Sequence, residues 1–222
     1  MNTGHRDDRK TASAQSRYDR IAAIYDLLEA PMERVAFSHW RAKLWELVRG
    51  PRVLEVGVGT GKNFAYYPKG IDITAIDFSP RMLDRARQRA EREGIPVDLR
   101  LMDVQHLDFP DDTFESVVAT FVFCSVPDPV RGLEELRRVA KPDGRILLLE
   151  HVRPPGMLGA LADVLNPLVV RTIGANINRC TVRNIERAGL EVEREENLSG
   201  PIVKLIIARP AKRGHREADT RG

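Results

Sequence analysis

Apolar residues recur along this chain with two periods. Between residues 52 and 150, short apolar runs alternate with longer stretches at helical spacing. Strands are predicted near 52–57, 71–76, 97–102, 115–121 and 145–150, with two more near 190–195 and 202–208. Helices fall between them, most clearly Pro80 to Arg92 and Pro129 to Ala140. Strands alternating with helices predict an α/β fold, a mostly parallel sheet covered on both faces. Upstream, Ser16-Arg17-Tyr18-Asp19 reads as a capping box that opens a helix. Tyr18, Ile21, Ile24, Tyr25 and Leu28 follow at helical spacing, and Pro31 closes that stretch. A second helix is predicted from Met32 to Arg49. Its apolar stripe is Phe37, Trp40, Leu44 and Leu47, which leaves Trp45 off the stripe, near Arg34, Ser38 and Arg41. Gly50-Pro51 stops it. Asn197 to Pro201 supplies turn residues between the last two strands. From Arg153 to Arg179 the pattern is irregular and apolar, with almost no charge apart from Asp163 and Arg171.

Composition narrows the class. The 222 residues are 42% hydrophobic and 30% charged, enough for one domain with a real core. The expected division is a disordered tail over 1–15, a single domain over 16–210 and a disordered charged tail over 211–222. Within the domain, 16–50 would be N-terminal helices and 153–180 a lid insertion. No run of about twenty apolar residues is present, so no membrane span is expected. The polar start, Met1 to Lys10, lacks the apolar segment of a secretory signal. Two cysteines, Cys124 and Cys180, cannot build a disulfide framework, and a cytoplasmic location is expected. Net charge is +3 and the isoelectric point about 9.0. No basic stripe carries interleaved aromatics, so no nucleic-acid partner is expected, and no Cys/His cluster has metal spacing.

The chemistry sits in Glu55-Val56-Gly57-Val58-Gly59-Thr60-Gly61, which follows the apolar run Arg52-Val53-Leu54. A strand that ends in a glycine turn and runs into a helix cradles a nucleotide-type cofactor, with helix N–H groups offered to its polar atoms. Asp77 ends the next strand about twenty residues on, where a carboxylate can accept two vicinal ribose hydroxyls. Ser79, not Asp77, suits the cap of the helix that starts at Pro80. An acid immediately before G-x-G-x-G would sit badly beside a pyrophosphate. It suits the positive amino-acid end of S-adenosylmethionine (SAM), reached directly or through water.

These stretches resemble class I SAM-dependent methyltransferases over roughly residues 15 to 209. Glu55 to Gly61 resembles motif I. Ala75 to Leu83 resembles the end of the second strand, Leu101 to Val104 the adenine-contacting turn, and Phe109 to Phe114 with Val117-Val118 the approach to strand four. Glu135 to Gly144 resembles the run before strand five, with Asp143-Gly144 where the family usually has Gly-Gly. The resemblance implies a Rossmann-like doubly wound sheet of seven strands, the last antiparallel between five and six. It implies SAM as cofactor, with S-adenosylhomocysteine (SAH) as product. Carried over residue by residue, it implies cofactor contacts at Glu55, Gly57, Gly59, Gly61, Asp77, Phe78, Met82, Asp103, Val104, Thr120 and Phe121.

The acceptor is less fixed. Arg17 to Asp26 with Pro31-Met32-Glu33 resembles bacterial phospholipid N-methyltransferases, which convert phosphatidylethanolamine stepwise to phosphatidylcholine. In that reading Trp40 and Trp45 would lie on an anionic leaflet, giving peripheral membrane contact. The lid would take acyl chains, and Arg153, Arg179 and Arg183 would hold the phosphodiester. Tyr18, Tyr25, Cys124 and the face of Phe121 would border the head group. Two alternatives stand: a C-methyltransferase of a prenylated quinone precursor, which Phe109 to Phe114 resembles, and a thiol or small-molecule methyltransferase. The stretches Phe121 to Val126 and Glu150-His151-Val152 resemble the latter. An alkylamine must lose a proton before it attacks, so His151 is the first candidate base and Tyr25 the second.

Overall fold

The computed structural model describes residues 11–12, 15–16, 18–19, 37–154, 156–157, 159–160, 163–164, 166, 181–200 and 202–211. Seven strands form one sheet: β1 (Arg52–Val56), β2 (Asp72–Asp77), β3 (Asp98–Leu101), β4 (Phe114–Thr120), β5 (Ala140–His151), β6 (Leu190–Ser199) and β7 (Val203–Pro210). Their order is β3-β2-β1-β4-β5-β7-β6. The first five pair in parallel, and β7 runs antiparallel between β5 and β6. The strand order reverses beside β1, so a crevice opens past the carboxyl ends of β1 and β4.

Period-two alternation sorts the strands onto two cores. Leu54, Val56, Val117, Ala119, Ile146 and Leu148 pack on one face, with Leu133, Leu136 and Val139 of α3 (Pro129–Val139) and Ile185 of α4 (Thr181–Arg187). Val53, Val118, Leu147, Leu149 and Leu205 pack on the other, with Leu44 and Trp45 of α1 (Ser38–Trp45). Leu83, Ala86 and Ala90 of α2 (Pro80–Glu93) cover Ala75. The central strands are buried on both sides, which is why they read as continuous apolar runs. Two helices start as their sequences require. Ser79 Oγ accepts from Met82 N at 3.2 Å, with Pro80 next; Asp128 accepts from Arg131 N at 3.1 Å, with Pro129 next.

Four expectations change. First, the inward face of α1 is Arg41, Leu44 and Trp45, with Phe37 just before it buried as well. Trp45 is 2% exposed, its ring 4.6 Å from Tyr67, so it belongs to the core and cannot lie on a leaflet. Arg41, turned inward, widens the buried face beyond the predicted stripe. Second, the glycine turn leads into a single 3-10 turn, Phe64–Tyr66, not a helix. The turn ends because Pro68 holds Tyr67 extended (φ −63°, ψ 125°). Third, β5 begins at Ala140, which pairs with Phe114, so Asp143-Gly144 lies within an irregular strand. Fourth, Thr11, Ala12 and Gln15, assigned to the tail, are helical, as are Ser16, Tyr18 and Asp19. The helix is therefore under way before Ser16. The Asp19 carboxylate accepts from Ser79 Oγ at 2.6 Å, a contact across the fold instead of a cap. Tyr25, Arg179, Cys180 and residues 212–222 lie outside the described residues.

Candidate active site

The cleft over the β1, β2 and β4 ends is walled by Gly57, Gly59, Ile76, Asp77, Phe78, Met82, Met102, Asp103, Val104, Thr120, Phe121 and Val122, and by Ser125, Val126 and Pro127 beyond β4. Thr11 and Tyr18 close it from the N-terminal side. Nine of the eleven residues expected at the cofactor thus share one wall; Glu55 and Gly61 do not.

Glycine is required at Gly57. Its φ is +68°, and a Cβ there would stand 2.4 Å from Val122 Cγ2. Gly59, also left-handed, donates its N–H to Asp77 Oδ2 at 2.9 Å. Ser79 N donates to Asp77 Oδ1 at 2.9 Å. Asp77 is 6% exposed, and burial pushes its carboxyl up to about 6 against those two bonds. Its remaining lone pairs border the cleft. Asp103 accepts from Gln105 N at 2.9 Å and from Gln105 Nε2. Gln105 Nε2 also donates to Thr11 Oγ1, and Gln15 Nε2 to the Phe78 carbonyl. The Tyr18 hydroxyl bonds Ser125 Oγ, and its ring stands edge-on to Phe78 at 5.8 Å.

Glu55 is held inside the protein, off the cleft wall. Asn63 Nδ2 donates to its Oε1 at 2.6 Å and the Tyr67 hydroxyl to its Oε2. Asn63 Nδ2 also reaches Thr120 Oγ1 at 3.1 Å, and Arg41 Nη1 donates to Asn63 Oδ1 at 2.9 Å. A largely buried polar hub, edged by half-buried Tyr67, therefore ties α1, the 3-10 turn, β1 and the end of β4. Burial raises the Glu55 carboxyl to about 7, opposed by Tyr67, Asn63 and the Arg41 charge. It raises the Tyr67 hydroxyl too. The sequence reading missed Arg41, Asn63 and Tyr67; the only local signal is their nearness to motif I.

Glu150 and His151 end β5 on opposite faces. The His151 ring stacks on Phe121 at 4.5 Å and stands edge-on to Phe37 at 6.3 Å. Phe37 is 4.9 Å from Phe121 and 5.5 Å from Trp40. His151 thus joins an aromatic group on the α1 side, one side chain away from the cleft wall. Glu150, also missed, is fully buried; its Oε1 accepts from Val122 N at 2.9 Å and Phe123 N at 3.1 Å. Burial pushes its carboxyl up to about 7.

The expected acceptor contacts divide. Tyr18 borders the cleft; Cys124 is buried beside Ser125, its Sγ 3.5 Å from the Phe121 carbonyl. Arg153 forks onto Asp163, with its shortest contact at 2.7 Å. Arg183 is exposed on α4 and lines no part of the cleft. Among the described residues, no cluster of His, Cys, Asp or Glu could hold a metal ion.

A parallel sheet with one inserted antiparallel strand, a glycine turn and a ribose-type carboxylate at its switch point defines the SAM-dependent methyltransferase class. Comparison with known proteins agrees. Residues 54–148 match the methyltransferase domain family. The chain is 43% identical over 160 residues to a phosphatidylethanolamine N-methyltransferase of Cereibacter sphaeroides, covering 68% of this chain and 75% of that one. It is 35% identical over 177 residues to a demethylmenaquinone methyltransferase of Deinococcus radiodurans, covering 76% and 73%. Among solved structures, the cyclase SpnF superposes with a TM-score of 0.73 at 18% identity, over 89% of this chain and 97% of that one. A SAM-dependent methyltransferase of Aquifex aeolicus gives 0.55 at 23%, over 75% and 85%. At such identities these two attest the fold alone. The chain belongs to the class I SAM-dependent methyltransferases, and SAM is its cofactor.

Proposed function

We propose that this methyltransferase acts on the primary amine of phosphatidylethanolamine and carries it stepwise to phosphatidylcholine. The observation that carries this reading is the 43% identity to a protein of that name, against 35% for the demethylmenaquinone relative. The group of Phe37, Trp40, Phe121 and His151 adds support, because aromatic faces attract the methylated ammonium that accumulates as the steps proceed.

SAM supplies an activated methyl group on a sulfonium. The chain's task is orientation, charge and proton handling. In this reading Asp77 holds the ribose hydroxyls. Met82, Met102, Ile76 and Val104 pack the adenine, with Asp103 at its exocyclic amine. The Thr120 carbonyl faces the methionine ammonium, the turn after β4 lies toward the sulfonium, and the glycine turn lets the backbone approach. His151, beside the Phe121 ring, takes the proton that the amine must lose before attack. His151→Ala should lower kcat by roughly 100-fold with SAM affinity unchanged; turnover within about twofold of the parent would remove His151 from that role. No helix of the described residues is long and apolar enough to cross a membrane. The proposal therefore places the protein peripherally on an anionic surface, through Trp40 and the insertion after β5.

A second reading, C-methylation of a prenylated quinone precursor, is favoured by the demethylmenaquinone and ubiquinone/menaquinone relatives, the latter from Geotalea daltonii at 30% identity. Purified protein with labelled SAM, offered phosphatidylethanolamine vesicles, a prenylated quinol and an alkyl thiol in parallel, separates the readings. Label in the phospholipid supports the first; label only in the quinol or the thiol overturns it.

A further inference from the structure

Among the described residues, Glu150 is the carboxylate that keeps a buried oxygen without a hydrogen-bond partner. It is fully buried on the face opposite His151, and its Oε2 has no hydrogen-bond partner among them. Its Oε1 accepts two consecutive amides, Val122 N at 2.9 Å and Phe123 N at 3.1 Å. Leaving one oxygen bare costs stability, so this residue is a poor choice for holding the fold alone.

The turn it holds is unusual. Phe121 has φ +57°, a region that costs a bulky side chain and persists only when its surroundings impose it. Three contacts impose it here: Phe121 N donates to the Leu149 carbonyl at 2.8 Å, and the next two amides point at Glu150. A trans peptide is planar, with its C=O opposed to its N–H. Amides drawn onto Glu150 therefore turn the Phe121 and Val122 carbonyls away from it. The Phe121 oxygen accepts from Cys124 Sγ at 3.5 Å and the Val122 oxygen from Ser125 N at 2.9 Å, and a carbonyl oxygen has two lone pairs. Phe121 and Val122 both line the cleft.

We propose that Glu150 is a positioning residue that sets the peptide polarity of this wall. It keeps carbonyl oxygens, not amide protons, on the side that meets a sulfonium. The inference rests on the cofactor being SAM and is independent of the acceptor.

The test compares two ligands that differ in charge at sulfur. SAM is a sulfonium; SAH, its product, is a neutral thioether. Calorimetry gives both affinities for the parent, Glu150→Gln and Glu150→Leu. Gln keeps an acceptor oxygen for both amides, so its SAM-to-SAH affinity ratio should stay within about twofold of the parent. Leu releases the amides, and the ratio should fall about tenfold. General loss of packing would weaken both ligands alike and leave the ratio unchanged, which overturns the proposal. So does a Gln variant whose ratio falls like that of Leu. Should the Leu variant not fold, amide hydrogen exchange in the parent and the Gln variant decides. Slow exchange at Val122 and Phe123 in both is expected, and fast exchange at either amide in the parent contradicts the assignment.

Discussion

Asp77 shows how one side chain can border the cleft and brace the scaffold at once. Its two oxygens take the Gly59 and Ser79 amides, so the carboxylate is fixed before any ligand arrives. Fixed acceptors recognise a vicinal diol with little ordering cost. Under the proposed ribose role, Asp77→Ala would remove both ribose bonds and free the glycine turn. SAM affinity, measured by calorimetry, should fall at least about tenfold. Its place at the strand end beside the glycine turn was legible from spacing alone, because a strand end, a glycine turn and an acid lie within one βαβ unit. Glu55 was legible as important, but its internal partners were not. Its partners Asn63 and Tyr67 lie eight and twelve residues away, and which of them reaches it depends on a 3-10 turn that periodicity does not register.

At the scale of elements, what was readable followed from local rules. Strands buried on both faces, a helix opened by Ser79-Pro80, another starting at Pro129, and the inserted β7 were all visible in pattern or resemblance. What was hidden depended on long-range pairing. The predicted stripe of α1 packs on the core, Phe37 and Leu44 buried with Trp40 and Leu47 against it, but the buried face is wider: Arg41 turns in to meet Asn63, and Trp45 beside it is buried too. Glu150 looked like part of a strand-end run, because nothing in the sequence shows that the chain after β4 folds back over it. The hub around Asn63 yields a prediction for how α1 is attached. Asn63→Leu keeps similar volume but leaves Glu55 and Arg41 short of a partner in the interior. The cost should be about 3 kcal/mol, read from urea denaturation; a loss under about 0.5 kcal/mol would show that the hub contributes nothing to holding α1.

At the scale of the whole molecule, three buried carboxyls set a common pH response. Glu55 and Glu150 are raised from 4.5 to about 7 and Asp77 from 3.8 to about 6, so in each the folded value lies above the unfolded one. The folded state then binds more protons through that window. The stability these groups contribute is full below the ordinary carboxylate range and is lost as pH rises through 6 to 7. Glu115 and Glu135 are lowered by their Lys141 and Arg138 partners, and their contribution is lost only as pH falls below about 4.5. Calorimetric Tm should therefore peak near pH 5 and decline toward pH 8; a Tm that rises steadily from pH 5 to 8 would contradict this assignment.

Methyl transfer from SAM to phosphatidylethanolamine would show directly in a mass analysis of total lipids. The chain would be expressed in a bacterial host that makes no phosphatidylcholine, beside its Asp77→Ala variant. The account predicts mono-, di- and trimethylated phosphatidylethanolamine with the parent chain and much less of each with the variant. Unchanged host phospholipids, with folded protein that binds SAM, would contradict it.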